Sequence, residues 1–234
     1  RKAQETLDAS SQPEDNLKAK IELTTAEILS GQGFYNKALN YINENEQYFA
    51  GRAVDKETYV DPESGKLKTR RLDEKEVIER KSDYSRILTL RAQTMGKQGD
   101  IFKADPEFAK SSLWIKRNLG TRHINYINNN FEWGKMLEAN GVLDLTKDVK
   151  EASFEKSLSL IKKDYTASHH LAFDIFESLM KNYLKRGETG KFKDVSKEYD
   201  KIIKKHFKKT SIHYVTRSTI DFNTKLDKHK TDKL

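Results

Sequence analysis

Apolar residues recur every three or four positions along most of the chain, which is the spacing of amphipathic α-helices. Glycine-containing turn signals separate these stretches, as at Gly33 and at Asn140-Gly141. The predicted helices cover residues 13–30, 35–49, 72–97, 105–117, 124–139, 154–163, 171–186 and 192–207. Because short turns join most of these helices, we expect an all-α protein built as an array of antiparallel helix hairpins.

One internal segment breaks this pattern. Residues 50–71 are rich in charge and carry turn signals such as Asp61-Pro62. We expect a long exposed loop here, with short strands at 56–60 and 66–70 pairing at its tip as one alternative. Loops of this length inside helical proteins are often functional. An insertion of no consequence is the other interpretation.

Two of the predicted hairpins share a pattern of small residues, related by an offset of 66 positions. The shared positions are Ala26, Gly33 and Ala38 in the first hairpin and Ala92, Gly99 and Ala104 in the second. The alanines let the paired helices approach closely, and each glycine ends the first helix in a conformation that is costly for other residues. A weaker echo at Gly190-Lys191-Phe192 is out of phase with the other two.

The shared pattern resembles that of the tetratricopeptide-repeat family, because 66 is close to twice its 34-residue period. Tyr35 also matches the family, whereas Ile101 replaces the tyrosine in the second hairpin. The resemblance covers about 70 residues, and the family's early tryptophan and closing proline positions are not kept. It implies a repeat domain at 1–140, with 50–71 inserted, and a C-terminal helical region at 141–234.

The same resemblance implies a ligand groove lined by the first helix of each hairpin. The partner-binding positions in such a groove are Lys20, Leu23 and Glu27 in the first hairpin and Arg86, Thr89 and Gln93 in the second. The asparagines that family members use to clamp a C-terminal carboxylate are missing from these positions. The resemblance therefore does not imply a chaperone-tail clamp.

Positive charge is concentrated at the C-terminal end. The net charge is +8, and the last 34 residues hold nine lysines and Arg217 against three aspartates. Four of these lysines form two adjacent pairs one helical turn apart, and we define them as the basic tail: Lys204, Lys205, Lys208 and Lys209. Such a tail attracts nucleic acid, anionic lipid or an acidic protein, or it is simply a solvated helix end. The β-branched residues of 211–219 leave helix and strand equally open.

Catalytic and metal-binding motifs are missing from the sequence. The chain has no cysteine, and its six histidines form no HExxH motif. Walker, GxSxG and GxGxxG motifs are absent as well. We therefore expect no catalytic residues, no cofactor, no metal and no small-molecule substrate. Trp114 and Trp133 flank basic residues, so they either stack nucleic-acid bases or belong to the core.

These patterns favour a non-enzymatic protein–protein interaction module or scaffold, in which a helical-repeat groove receives another protein. Binding of nucleic acid or an anionic membrane through the basic tail is the alternative function. No run approaches the roughly 18 apolar residues that a membrane span needs. Because the sequence begins at Arg1 and not at methionine, either an N-terminal segment was processed off or the sequence was cut short. We favour a processed bacterial envelope or periplasmic protein over a cytoplasmic one.

Overall fold

The computed structural model describes residues 13–141, 153–208, 211–213 and 215–220. In this part of the chain the fold is all-α apart from one β-hairpin, which confirms the predicted all-α class. The elements are α1 (Pro13–Gly31), α2 (Tyr35–Arg52), β1 (Lys56–Val60), β2 (Leu67–Arg71), α3 (Glu74–Lys97), α4 (Ile101–Asn118), α5 (Ile124–Ala139), α6 (Phe154–Asp164), α7 (His170–Lys185) and α8 (Thr189–His206). The chain divides into two compact units, Arg1–Leu143 and Asp144–Leu234.

In the first unit, each helix from α1 to α5 packs against the next one along the chain. Alternate helices of this unit also touch, since α1 contacts α3 and α3 contacts α5. The core between α1, α2 and α3 is made of fully buried aliphatic side chains such as Ile42 and Ile87. This arrangement places α1, α3 and α5 side by side along one face of the unit.

The turns that join α1 to α2 and α3 to α4 have the same geometry. Gly33 and Gly99 adopt φ angles of +86° and +90°, in the region that favours glycine. In both turns the glycine N–H donates to the carbonyl three residues earlier, at 3.4 and 3.1 Å. The next N–H donates to the carbonyl five residues before it, at 2.9 and 3.0 Å. This is the Schellman pattern, which satisfies the last carbonyls of a helix.

The second unit repeats this turn between α7 and α8. Gly187 has a φ of +69°, and its N–H donates to the carbonyl of Leu184 at 3.1 Å. The N–H of Glu188 donates to Tyr183 O at 2.9 Å, again five residues back. Lys191 therefore lies four residues after its turn glycine, as Lys37 and Lys103 do. The weaker pattern at Gly190-Lys191-Phe192 therefore matches the two hairpins of the first unit when Gly187, and not Gly190, is taken as the turn glycine.

The 66-residue offset between the two hairpins includes the inserted segment. Helix α2 contacts α3 directly, so the two hairpins are consecutive and no third hairpin lies between them. The extra length comes from residues 53–73, which hold the β-hairpin. The offset therefore does not support the 34-residue period of tetratricopeptide repeats. The resemblance stays a prediction that is based on the small-residue positions.

The inserted segment forms the β-hairpin that the sequence offered as one alternative. Strand β1 pairs antiparallel with β2, from Lys56 opposite Arg71 to Val60 opposite Leu67. The second strand begins one residue later than the predicted 66–70. At the base of the hairpin, the N–H of Leu72 donates to Asp55 O at 3.1 Å, and the Leu72 side chain is buried.

The structure decides two further points about the helices. Helix α4 begins at Ile101 and not near residue 105, because Asp100 caps it by accepting from the N–H of Lys103 at 3.3 Å. Pro106 lies in the second turn, where a proline removes only one backbone hydrogen bond.

Residues 212–213 and 215–220 are helical, so helix and not strand is the outcome for the described part of 211–219.

In the second unit, α7 packs against both α6 and α8 around an aromatic core. Phe173 is buried at its centre and contacts the rings of Tyr199 and His213, with centroids 6.0 and 4.5 Å away. The Tyr199 hydroxyl donates to Glu177 at 2.7 Å. Burial, together with this hydrogen bond, raises the pKa of Tyr199. The segment that follows α8 is therefore anchored through His213.

The close crossing of α3 and α4 leads to a stability prediction. Ala104 is fully buried, and a Cβ placed on Gly96 would lie 3.7 Å from the Ala104 Cβ and 2.5 Å from Met136 Cγ. We expect Ala104→Leu to lower the free energy of unfolding by about 1–3 kcal/mol, because the packed site has no room for it. Urea denaturation measures this change. The control is Ala109→Leu, at an exposed position of the same helix. Equal unfolding midpoints for the two variants would contradict the packing at the crossing.

Candidate functional site

The six predicted groove positions all lie on α1 and α3, but two of them are buried. Leu23 is 3% exposed and belongs to the core between α1, α2 and α3. Thr89 is 5% exposed, and its hydroxyl donates to Asn129 Oδ1 at 3.0 Å. Leu23 is therefore not presented to a ligand, and Thr89 contributes only a small exposed fraction to the surface. The resemblance to the repeat family placed both residues in the groove, and packing against neighbouring helices buries them.

Lys20 lies on α1 facing two carboxylates of α3. Its Nζ is 3.0 Å from Glu79 Oε1 and 3.3 Å from Asp83 Oδ2. Burial alone would lower the pKa of Lys20, but the hydrogen bond to Glu79 and the charge of Asp83 outweigh it and raise the pKa. Lys20 therefore links two helices through its charge, and two of its three donors face carboxylates of α3.

The other three predicted positions meet in one shallow pocket where α1, α3 and α5 run side by side. Its lining residues are Glu27, Arg86, Thr89, Leu90, Gln93, Asn125 and Asn128. Arg86 Nη2 and Glu27 Oε1 form an ion pair at 2.8 Å, with side chains 49% and 40% exposed. The pocket measures about 90 Å³, well below the volume of sites that enclose drug-sized ligands. We call this place the inner-face pocket.

Two carboxamides in the inner-face pocket have no hydrogen-bond partner among the residues that the structure describes. They belong to Gln93 on α3 and Asn128 on α5. The third carboxamide is occupied, because Asn125 Nδ2 donates to Ser85 Oγ at 2.6 Å and to Ser82 O at 3.1 Å. A free carboxamide has one acceptor oxygen and two donor hydrogens. Gln93 and Asn128 can therefore bond both groups of a peptide backbone.

Asn128 was missed because only two hairpins were recognised in the sequence. Helix α5 is a third helix of the same kind, since Gly134 is a buried small residue seven positions before Gly141. Ala26 stands at the same distance before Gly33, and Ala92 before Gly99. That spacing was available in the sequence, and applying it to α5 would have placed Asn128 at the position that Lys20 and Arg86 occupy in the other two helices.

A second charged cluster joins the β-hairpin to α3. Arg80 is only 8% exposed, and its Nη2 lies 2.6 Å from Glu76 Oε1 and 3.3 Å from Glu57 Oε1. The more exposed Arg70 contacts Glu57 Oε2 at 2.8 Å. Burial alone would raise the pKa of Glu57, but the hydrogen bonds and charges of the two arginines bring it below its ordinary value. These contacts fix the hairpin, and they leave no carboxylate free for chemistry.

The basic tail is only partly within the described residues. Lys204 and Lys205 are exposed in the last turn of α8, and Lys208 is exposed just after it. None of the three forms an ion pair with a described residue. Lys209 lies outside the described residues.

Two histidines have structural roles at helix starts. The Nδ1 of His123 accepts from the N–H of Asn125 at 3.2 Å, and the Nδ1 of His169 accepts from the N–H of Leu171 at 3.2 Å. Burial lowers the pKa of both imidazoles, with the neighbouring His170 adding to the effect at His169.

Across residues 13–141 and 153–220, where described, no three His, Asp or Glu side chains are grouped to hold a metal ion. No described helix is long and apolar enough to cross a bilayer.

The two tryptophans pack against other rings in the first unit. Trp133 is 7% exposed and stacks on Phe108 with centroids 6.3 Å apart, and its Nε1 donates to Asp105 at 2.8 Å. Trp114 meets Tyr84 edge to face at 4.9 Å. Of the two interpretations of these residues, the core one holds for Trp133, and the Trp114 ring is half-buried.

No model of a known protein family matches the chain. No curated protein is significantly similar to it in sequence. The inner-face pocket and the distribution of charge are the features of the chain that bear on its function.

Proposed function

We propose that the chain is a non-enzymatic interaction module that receives an extended segment of a partner protein at the inner-face pocket. One observation carries the proposal. Two carboxamides without partners in the described structure, those of Gln93 and Asn128, line the same pocket as the exposed Glu27–Arg86 ion pair. These groups come from three helices, α1, α3 and α5.

The carboxamides suit an extended backbone. A peptide in that conformation presents N–H and C=O groups that no helix or sheet satisfies. Gln93 and Asn128 each offer a donor and an acceptor to such groups. Recognition of main-chain groups gives affinity, and neighbouring pockets give side-chain preference.

The ion pair suits an acidic residue in the partner. An exposed pair of this kind contributes only about 0–1 kcal/mol to stability. A partner carboxylate can therefore take the place of Glu27 beside Arg86 at little cost to folding. The expected ligand is an extended segment that carries an aspartate or glutamate.

Peptide display on the full-length chain tests the proposal. Random peptides are selected for binding, and the enriched ones are synthesised with a fluorescent label for anisotropy. We expect the double variant Gln93→Ala/Asn128→Ala to weaken binding by roughly tenfold or more, because each lost hydrogen bond contributes about 0.5–1.5 kcal/mol. Enriched peptides should carry an acidic residue.

The matched control is Asn36→Ala/Gln98→Ala, which removes one exposed asparagine and one exposed glutamine elsewhere in the same unit. These two carboxamides bond each other at 2.9 Å, away from the inner-face pocket. This control should bind like the unmodified chain. The proposal fails if both double variants bind equally well, or if no selected peptide binds the chain.

A further inference from the structure

Four lysines form a straight row along the exposed side of α8, and we call them the lysine row. They are Lys193, Lys197, Lys201 and Lys204, and all four are exposed. Intervals of four, four and three residues place them on one face of a helix. At about 1.5 Å per residue the row is roughly 16 Å long. Only Lys204 belongs to the basic tail, so most of this charge lies upstream of it.

The lysine row forms no ion pairs within the part of the chain that the structure describes. Two of the acids on α8 are occupied by cations from elsewhere in the second unit. Glu198 pairs with Lys162 at 2.6 Å, and Asp200 pairs with Arg217 at 3.0 Å. Asp194, beside the row, is the remaining acid of the helix and is exposed. The row therefore presents a net positive strip to solvent.

Folding of the helix gains nothing from this arrangement. Like charges four residues apart destabilise a helix by a few tenths of a kcal/mol per pair. Only Lys204 is in the last turn, where the helix dipole favours a cation. Lys193 and Lys197 lie in the first half of α8, without that benefit. An anionic partner along the row would relieve the repulsion.

The burial of the apolar side of α8 favours nucleic acid over a membrane as the anionic partner of the row. A helix that lies on a membrane inserts its apolar face into the bilayer. The apolar side of α8 is already used, because Phe192, Tyr199 and Ile203 are 8%, 0% and 1% exposed in the core of the second unit. What remains is a line of point charges, which matches a line of phosphates.

We propose that the lysine row binds the phosphate backbone of nucleic acid without reading its sequence. One strand of a duplex carries a phosphate about every 3.4 Å along the axis. A row of roughly 16 Å therefore runs beside four or five phosphates. The row contains no aromatic side chain on which a base could stack, so backbone contacts carry the affinity. This surface is in the second unit and is independent of the inner-face pocket.

Anisotropy titrations of the full chain with a fluorescein-labelled 20-base-pair DNA duplex, and with one of its single strands, test the proposal. The test variant changes all four lysines of the row to glutamine. The matched control removes the same charge from another helix by changing Lys103, Lys110, Lys116 and Arg117 of α4, all exposed, to glutamine. Circular dichroism checks that the test variant folds. If it does not fold, the variant Lys197→Gln/Lys201→Gln is used in its place.

Four phosphate contacts imply that duplex affinity falls on the order of 100-fold between 50 and 200 mM salt. We expect the row variant to lower the slope of log K against log salt by about 3–4, the two-lysine variant to lower it by about 2, and the α4 control to keep it.

Three results would overturn the proposal. One is the absence of duplex or single-strand binding by the unmodified chain at 50 mM salt. Another is equal weakening in the row variants and the α4 control, which would mean that net charge alone matters. The third is row-dependent binding to phosphatidylserine-containing vesicles with no row-dependent binding to DNA, which would assign the surface to a membrane.

Discussion

Replacing Phe108 with alanine is expected to lower the free energy of unfolding by about 3–5 kcal/mol. The side chain is 0% exposed and stacks on Trp133 with an interplanar angle of 5°. Its removal leaves a cavity between α4 and α5 that the surrounding helices fill only in part. Chemical denaturation followed by far-UV circular dichroism measures the loss.

The control for this substitution lies on the same helix. Phe102 is 95% exposed, so Phe102→Ala removes the same atoms from water and not from the core. We expect it to change stability by less than about 0.5 kcal/mol. Similar losses for the two variants would mean that α4 is not packed as described.

Replacing Arg80 with alanine is expected to cost about 3–5 kcal/mol, because it leaves two carboxylates facing each other without their buried cation. The Arg80 side chain is 9% exposed, against 11% for Glu57 and 29% for Glu76. Arg70 also pairs with Glu57, but it is 52% exposed. We expect Arg70→Ala to cost no more than about 1 kcal/mol. Comparable losses for the two arginine variants would refute a special role for the buried pair.

The pH dependence of Arg80→Ala provides a second check. Glu57 has a pKa lowered in the folded state, so its contribution is present above its ordinary pKa and is lost as pH falls through the folded value. Removing Arg80 weakens this contribution. The difference in stability between the unmodified chain and the variant should therefore shrink as pH falls from 7 toward 3. A difference of constant size would mean that the arginine acts through packing and not through charge.

Much of the fold follows from local sequence signals. The helices begin and end near the predicted residues because glycines such as Gly33 and Gly99 allow a left-handed turn that other residues resist. Pro106 misled the prediction for α4, since a proline near a helix start is compatible with either side of the boundary. The side chain of Asp100 caps α4 and so fixes its start at Ile101, and this hydrogen bond is visible only in the three-dimensional structure.

The site was less predictable than the fold. Periodicity identifies the face that a helix buries, but not which edge of that face a neighbouring helix covers. Leu23 and Thr89 are therefore inside, whereas Glu27 and Arg86 remain at the surface. The Gly134–Gly141 spacing indicates that α5 resembles α1 and α3, but only the packing of α5 against α3 shows that Asn128 shares a pocket with Gln93. Contacts between distant parts of the chain are the information that a single sequence does not provide.

The closed base of the β-hairpin makes this part of the chain a natural place for protein engineering. Asp55 and Leu72 are joined by a backbone hydrogen bond, so the chain leaves and rejoins the helices at nearly the same point. At the other end, Asp61 and Lys66 are likewise joined, with a 2.8 Å bond from the N–H of Asp61 to the Lys66 carbonyl. A foreign segment with adjacent ends, such as an epitope or a small reporter domain, can replace residues 62–65 without separating α2 from α3.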